Sequence, residues 1–297
     1  AAVDPDLCRR RFSADRWESF SREVEWFRAH MSERAWNEAQ IDHGYNGTPL
    51  WTLVGRLLTR SSINQRQLVL LASIDWILLS IMWLAVWKTF GWRVTSVALI
   101  WWGLNFPARY GYTGGAFFRQ GWLFCVVIAL CLARRGAPLP AGLMLGAASV
   151  LRVFPLLALS GPMLRHAAHA AKGHRLMAER RLLAGSAASI AVLLALTLLF
   201  SYRPAEGAFQ EWLAFSRNAA KHVTTPTVNR VGLQTVVSYD PGLRAANTWG
   251  ASGDDPWAAW KEGQRQTFER RRVLYWGMVG AFVLLLARAM KRQDLWT

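Results

Sequence analysis

Arg152 stands near the middle of an apolar run, Ala141–Leu164, and Phe154-Pro155 follows it almost at once. A cation at membrane depth marks a functional site, and its simplest partner is an anion such as a lipid phosphate. Pro155 removes a backbone donor and disfavours helix in the residue before it. Both flanks are basic: Arg134-Arg135 precede the run, and five Lys/Arg with one Glu fall between Arg165 and Arg181. A single crossing would put these basic segments on opposite sides of a bilayer, against the positive-inside tendency. Two half-helices broken at Pro155 keep them on one side and carry Arg152 to the tip, deep in the protein. Broken helices persist at that depth only where they line a cavity or lie buried in protein. The alternative is a kinked single helix in which Arg152 snorkels or pairs structurally.

Other reactive side chains are less organised. His166, His169 and His174 share a basic stretch without acidic or Cys companions, so a solvated basic face is expected and a metal site is not. Asp75 lies within an apolar span. A buried acid needs a partner, and a structural hydrogen bond to a neighbouring helix is the simpler role. Cys125 and Cys131 read as small buried side chains in an apolar run, and Cys8 has no evident partner. The sequence holds no P-loop and no G-x-S-x-G elbow.

These residues need a scaffold, and composition indicates which. The 297 residues are 53% hydrophobic with 17 Trp, and several apolar runs approach membrane length. An all-α, polytopic transmembrane helical bundle is expected, with amphipathic juxtamembrane helices and outer loops. Its spans are Leu68–Trp87, Val94–Phe106, Gln120–Leu132, the hairpin at 141–164, Leu182–Ser201 and Val273–Ala289. Asp15–Glu38 reads as an amphipathic helix, because Trp17, Phe20, Val24, Phe27 and Met31 recur on one face. Leu50–Leu58 reads as a second, and Asn46-Gly47-Thr48 before it as a turn. The net charge of +16 alternates with apolar spans. It therefore reads as topology markers and contacts to membrane lipids, with no nucleic acid as partner.

The expected organisation is an extracytoplasmic segment 1–66, a transmembrane core 67–201, an extracytoplasmic substrate loop 202–272, and a last helix with a cytoplasmic tail, 273–297. The two outer segments hold 16 of the 19 acids, and the short loops between spans are basic. An N-terminus that begins outside implies a cleaved signal or a helix before residue 1.

The order of these features resembles the polytopic GT-C glycosyltransferases, especially the bacterial polyprenyl-phosphate-mannose-dependent family, glycosyltransferase family 87. Three stretches carry the resemblance. Tyr45–Leu57, YNGTPLWTLVGRL, is similar to the family's Tyr-Pro-Pro-Leu-Phe segment, with Asn46-Gly47 replacing part of it. Ala133–Pro155 is similar to its Arg-Arg-Gly, Ala-Gly, Lys-x-x-Pro pattern, with Arg152 in place of Lys. Thr225–Tyr239 resembles its outer-loop motif, with Val231-Gly232-Leu233 after Asn229.

The resemblance implies an inverting enzyme of a bacterial inner membrane. It would move mannose from a polyprenyl-phosphate donor to a lipid or glycan acceptor on the outer face, with no cofactor beyond that donor. It also implies a carboxylate in the first outer loop as general base. The family's spacing points to Asp15, with Asp6 and Asp42 as alternatives. A sugar hydroxyl is a poor nucleophile, and a positioned carboxylate accepts its proton as the bond forms. The competing role for Asp15 is a helix N-cap. The leaving phosphate needs cations, and Arg152, Lys221, His222 and Arg230 are the available types. Tyr45 and Asn229 complete the expected substrate contacts. Segment 202–272 is expected to fold over the donor with Lys221-His222 and Asn229-Arg230 facing inward. A lipid or solute transporter could also use a broken helix and a buried cation, but internal repeats of spans are not evident. A membrane scaffold without catalysis is the third reading.

Overall fold

The computed structural model describes residues 9, 10, 12–33, 36, 47–58, 65–104, 118–171, 173, 176–200, 208–224, 232–244 and 257–292. Among them the chain is all helical. It divides into two compact units, Ala1–Tyr45 with Gly250–Pro256, and Asn46–Trp249 with Trp257–Thr297.

The first unit holds α1, Ala14–His30. Ser13 is its N-cap and accepts from the Arg16 N–H at 3.4 Å. Phe12, Trp17 and Phe20 pack their rings 5.3–5.8 Å apart on one face. Met31, at extended backbone angles, ends the helix, earlier than the expected Glu38.

In the second unit, α2 (Pro49–Leu58) leads to α3 (Gln65–Leu104). Two spans with a turn between Lys88 and Arg93 are expected there, and a helical run broken at Gly91 (φ 79) is found. That left-handed angle suits glycine, which lacks a Cβ. Trp83 and Trp102 lie with ring centroids 5.9 Å apart. On a straight helix their separation would be about 28 Å, so the two arms fold back on each other.

Then come α4 (Gly121–Arg134), α5 (Pro138–Leu151), a 3-10 segment (Phe154–Leu159), α6 (Ser160–Ala170) and α7 (Met177–Leu199). The core joins Ala129 of α4, Ala141 and Leu145 of α5, Leu159, and Leu182 of α7. The α5–α7 contact is close because it is built on small residues. A Cβ on Gly142 would overlap the Leu182 carbonyl oxygen, and one on Gly185 the Leu139 carbonyl oxygen. A Cβ on Gly146 would lie 2.6 Å from the Ser186 carbonyl oxygen. Ser186 Oγ donates to the carbonyls of Gly142 at 3.0 Å and Leu182 at 3.1 Å. Small residues with an interhelical hydroxyl bond are how helices associate where water supplies no driving force.

Gly142 meets Leu182 and Ser186 while Gly146 meets Ser186 and Ser189, so α5 and α7 run in the same direction. The chain between them must return. The 3-10 segment and α6 do so, which brings Pro162 beside Pro138 and Arg165 within 3.2 Å of Glu179. The run 141–164 is therefore broken and turns back on itself, with both its ends at one basic end of the bundle.

Two helices, Val69–Leu104 and Met177–Leu199, are long and apolar enough to cross a membrane. Only 24% and 28% of their most apolar windows are covered by the rest of the protein, unlike the core helices of a soluble domain. Apolar side chains such as Ile77, Ile100, Trp101 and Leu199 point outward instead. Both features point to membrane association.

The expected loop 202–272 proves substantially helical. It contains α8 (Ala208–Thr224), α9 (Leu233–Val237) and α10 (Ala258–Arg270), followed by α11 (Arg272–Arg292). The end of α9 is held by long-range polar contacts. Ser238 Oγ donates to Gln264 Oε1, and Arg271 Nη1 donates to the carbonyls of Val237 at 3.1 Å and Tyr239 at 2.8 Å.

Candidate functional site

The end of the bundle opposite the basic loops gathers the candidate site. Arg152 is the C-cap of α5, with extended angles (φ −143, ψ 126), and its N–H donates to the Ala148 carbonyl at 2.9 Å. The break thus begins at Arg152 itself, just before the 3-10 segment carrying Pro155. Arg152 is exposed, contrary to its expected place deep in the protein. Among the described residues its guanidinium has no hydrogen-bond or ion-pair partner. The physical reason lies in the tip's geometry. Val150, Pro155 and Thr48, which bonds the Leu151 carbonyl, are buried around the break, and Arg152, Val153 and Phe154 are left exposed.

Depth along the bundle follows from the α5–α7 register. Past the contact of Gly146 with Ser189, α5 continues for five residues and α7 for ten. Arg152 therefore stands about 7 Å short of the end of α7.

A circuit of contacts begins and ends at its neighbours in the chain, Leu151 and Phe154. Thr48, 1% exposed, donates from Oγ1 to the Leu151 carbonyl at 3.5 Å and opens α2. Trp51 of α2 stacks on Phe118, with centroids 5.7 Å apart and planes at 12°. Phe118 has φ 56, a left-handed angle that costs a bulky residue free energy. Its ring lies against Gly121, where a Cβ would come within 2.8 Å. Trp122 then meets Phe154 edge-to-face at 4.7 Å, which returns the circuit to the residue two after Arg152.

Asp75 holds the circuit in place. It is 2% exposed, and its Oδ2 and Oδ1 accept from the N–H groups of Arg119 and Gln120, both at 2.9 Å. It thus supplies the expected structural bond to a neighbouring helix, at the positive N-terminal end of α4. Charge-assisted bonds of this kind contribute about 1.5–3 kcal/mol each. Asp75→Asn presents an amide N–H to one of the two donors. Thermal unfolding in detergent is expected to show a loss of about 2 kcal/mol, with a changed near-ultraviolet signal from Trp51 and Trp122. An unchanged midpoint would show that these bonds carry no stability.

The other expected site residues are placed as follows. Lys221 and His222 fall on the last turn of α8, and their side chains lie outside the described residues. That helix sits at the Arg152 end, because Trp212 Nε1 donates to Thr197 Oγ1 at 2.9 Å near the end of α7. Asp6, Asp42, Tyr45, Asn229 and Arg230 lie outside the described residues. Asp15 is exposed in the first turn of α1, and it is not the cap, since Ser13 takes that role. Asp15 belongs to the first unit and Arg152 to the second. Among the described residues no group of three or more His, Cys, Asp or Glu is gathered as for a metal ion.

Two of the three stretches that carry the resemblance meet here, through Thr48 and Leu151. The aromatic members of the circuit escaped the sequence reading. The signal for them was the placement of Trp51 and Trp122 near the ends of apolar segments, as in an interfacial belt. An exposed guanidinium at the break of a helix, two residues from the Trp122–Phe154 ring pair, suits an anion attached to an apolar chain. Compared with family models, curated proteins and solved structures, the chain gives no match.

Proposed function

We propose that this chain is a multi-pass integral membrane glycosyltransferase of the GT-C kind. It transfers a sugar, mannose in the first instance, from a polyprenyl-phosphate donor to a lipid or glycan acceptor on the outer face of a bacterial inner membrane. The observation that carries the reading is Arg152: without a partner among the described residues, exposed at the tip of the broken hairpin, and short of the end of a membrane-length helix. A phosphate on an isoprenoid chain would meet the guanidinium at that depth while its chain lies against the apolar helices. The acceptor hydroxyl attacks the anomeric carbon and a carboxylate takes its proton. The bond to the phosphate oxygen breaks, and the polyprenyl phosphate leaves with its charge beside Arg152.

A lipid or solute transporter remains the second reading, because half-helices meeting at a break also build transport sites. Arg152→Ala separates the roles of the residue. An exposed side chain with no described partner should change stability by only about 0.5 kcal/mol. Loss of a charge-assisted phosphate contact should weaken binding of radiolabelled polyprenyl-phosphate-mannose by about 10- to 100-fold. Arg152→Lys should retain part of it, since a point charge still meets the phosphate without the bidentate fork. Transfer by Arg152→Ala at the normal rate would overturn the assignment.

A further inference from the structure

Two adjoining cavities lie between α4, α5, α6 and α7 at the basic end of the bundle, away from Arg152. The first, about 270 Å³, has walls that include Val126, Leu130, Leu145 and Ala158, with Arg165 and Glu179 as its polar members. The second, about 300 Å³, reaches Gly136, Pro138, Ala178 and Arg181. Ala133, Pro162, Glu179 and Leu182 line both, so the two meet across the same side chains. Small-molecule sites span roughly 300–1,000 Å³ and combine an apolar wall with a few polar groups, as these do together.

We infer that the paired cavities bind an anionic lipid, its hydrocarbon chain in the first cavity and its phosphate beside Arg181 in the field of Arg165. Charge decides the headgroup. Arg165 Nη1 is 3.2 Å from Glu179 Oε1, with side chains 16% and 6% exposed, so Glu179 offsets one of the two guanidinium charges and the mouth stays positive. Arg134, Arg135 and Arg180 stand exposed nearby in the chain and add to that field. The surface beside the cavities decides the tail. Leu130, Leu139 and Leu157 are 50%, 47% and 74% exposed there, so an apolar chain enters along bare apolar helix where a polar solute would not. This site lies at the opposite end of the hairpin from Arg152, and it stands whether or not the chain transfers sugar.

The test uses the purified full chain in nonionic detergent. Binding of palmitoyl-lysophosphatidylglycerol and palmitoyl-lysophosphatidylcholine is compared by native mass spectrometry. The two probes share a tail and differ in headgroup charge. The unaltered chain is expected to prefer the anionic probe by about fivefold or more. Arg181→Gln, an exposed position, should remove most of that preference. Gly161 lines the first cavity, and a Cβ there meets nothing within 4 Å, so Gly161→Leu is the substitution chosen to fill it. It should weaken both probes about tenfold, from lost burial of the chain. Equal binding of the two probes by the unaltered chain, or undiminished binding by Gly161→Leu, overturns the site.

Discussion

Asparagine in place of Asp15, Asp6 or Asp42, one at a time, is expected to leave one variant whose turnover falls about 100-fold or more while donor binding holds. The exchange keeps size and polarity and removes basicity, so a drop in turnover alone reports proton acceptance. Asp15 is the first choice, and the structure removes the chief objection to it. A carboxylate occupied in capping would serve poorly as a base, but Ser13 caps α1 and leaves Asp15 exposed in the first turn. Asp15→Asn should accordingly cost about 0.5 kcal/mol or less in stability. The readouts are transfer of labelled mannose and retention of labelled donor, taken on the same preparations. Normal turnover in all three variants would remove the general-base proposal and leave the transporter reading ahead.

The largest effect on folding is expected at the α5–α7 contact. Gly142→Val sets a branched side chain where even a Cβ would overlap the Leu182 carbonyl oxygen. The obstacle is backbone, which cannot swing aside as a side chain does, so the helices must separate. Separation breaks the Ser186–Gly142 hydrogen bond and loosens Leu145 and Leu182 in the core. Overpacking costs about 1–3 kcal/mol, and a backbone obstacle places this site at the upper end or beyond. Gly103→Ala is the matched control, because a Cβ there meets nothing within 4 Å. It should be neutral or raise stability by up to about 1 kcal/mol, from helix propensity alone. Unfolding midpoints of the two variants in detergent should move in opposite directions. A Gly142→Val midpoint equal to that of the unaltered chain would show that the close approach does not hold the bundle.

Much of the local structure is legible in the residue order, because it depends on neighbours in the chain. The apolar runs predict the helices, and Lys88 and Arg93 between two of them predict the turn within α3, which the structure makes at Gly91. Arg152 before Phe154-Pro155, with basic residues on both sides, predicts a hairpin broken at its tip. Each rests on a covalent or steric property of a few consecutive residues, or on charge flanking an apolar run.

What tertiary structure alone decided are the partners across long separations. Nothing in spacing pairs Asp75 with the N–H groups of Arg119 and Gln120, or Thr48 with the Leu151 carbonyl. A hydrogen-bond acceptor is indifferent to which donor satisfies it until packing brings one near. The small residues Gly142, Gly146 and Gly185 read as ordinary members of apolar runs until α5 and α7 lie side by side. Within segment 202–272, the bonds of Ser238 to Gln264 and of Arg271 to the Val237 carbonyl join α9 to the helices after it, and no spacing announces them. Arg152 shows the division most plainly. Its residue type and the proline after it set where the helix ends. Its exposure goes with the buried Thr48 bonding the carbonyl of Leu151 just before it, a contact made from a segment about a hundred residues away.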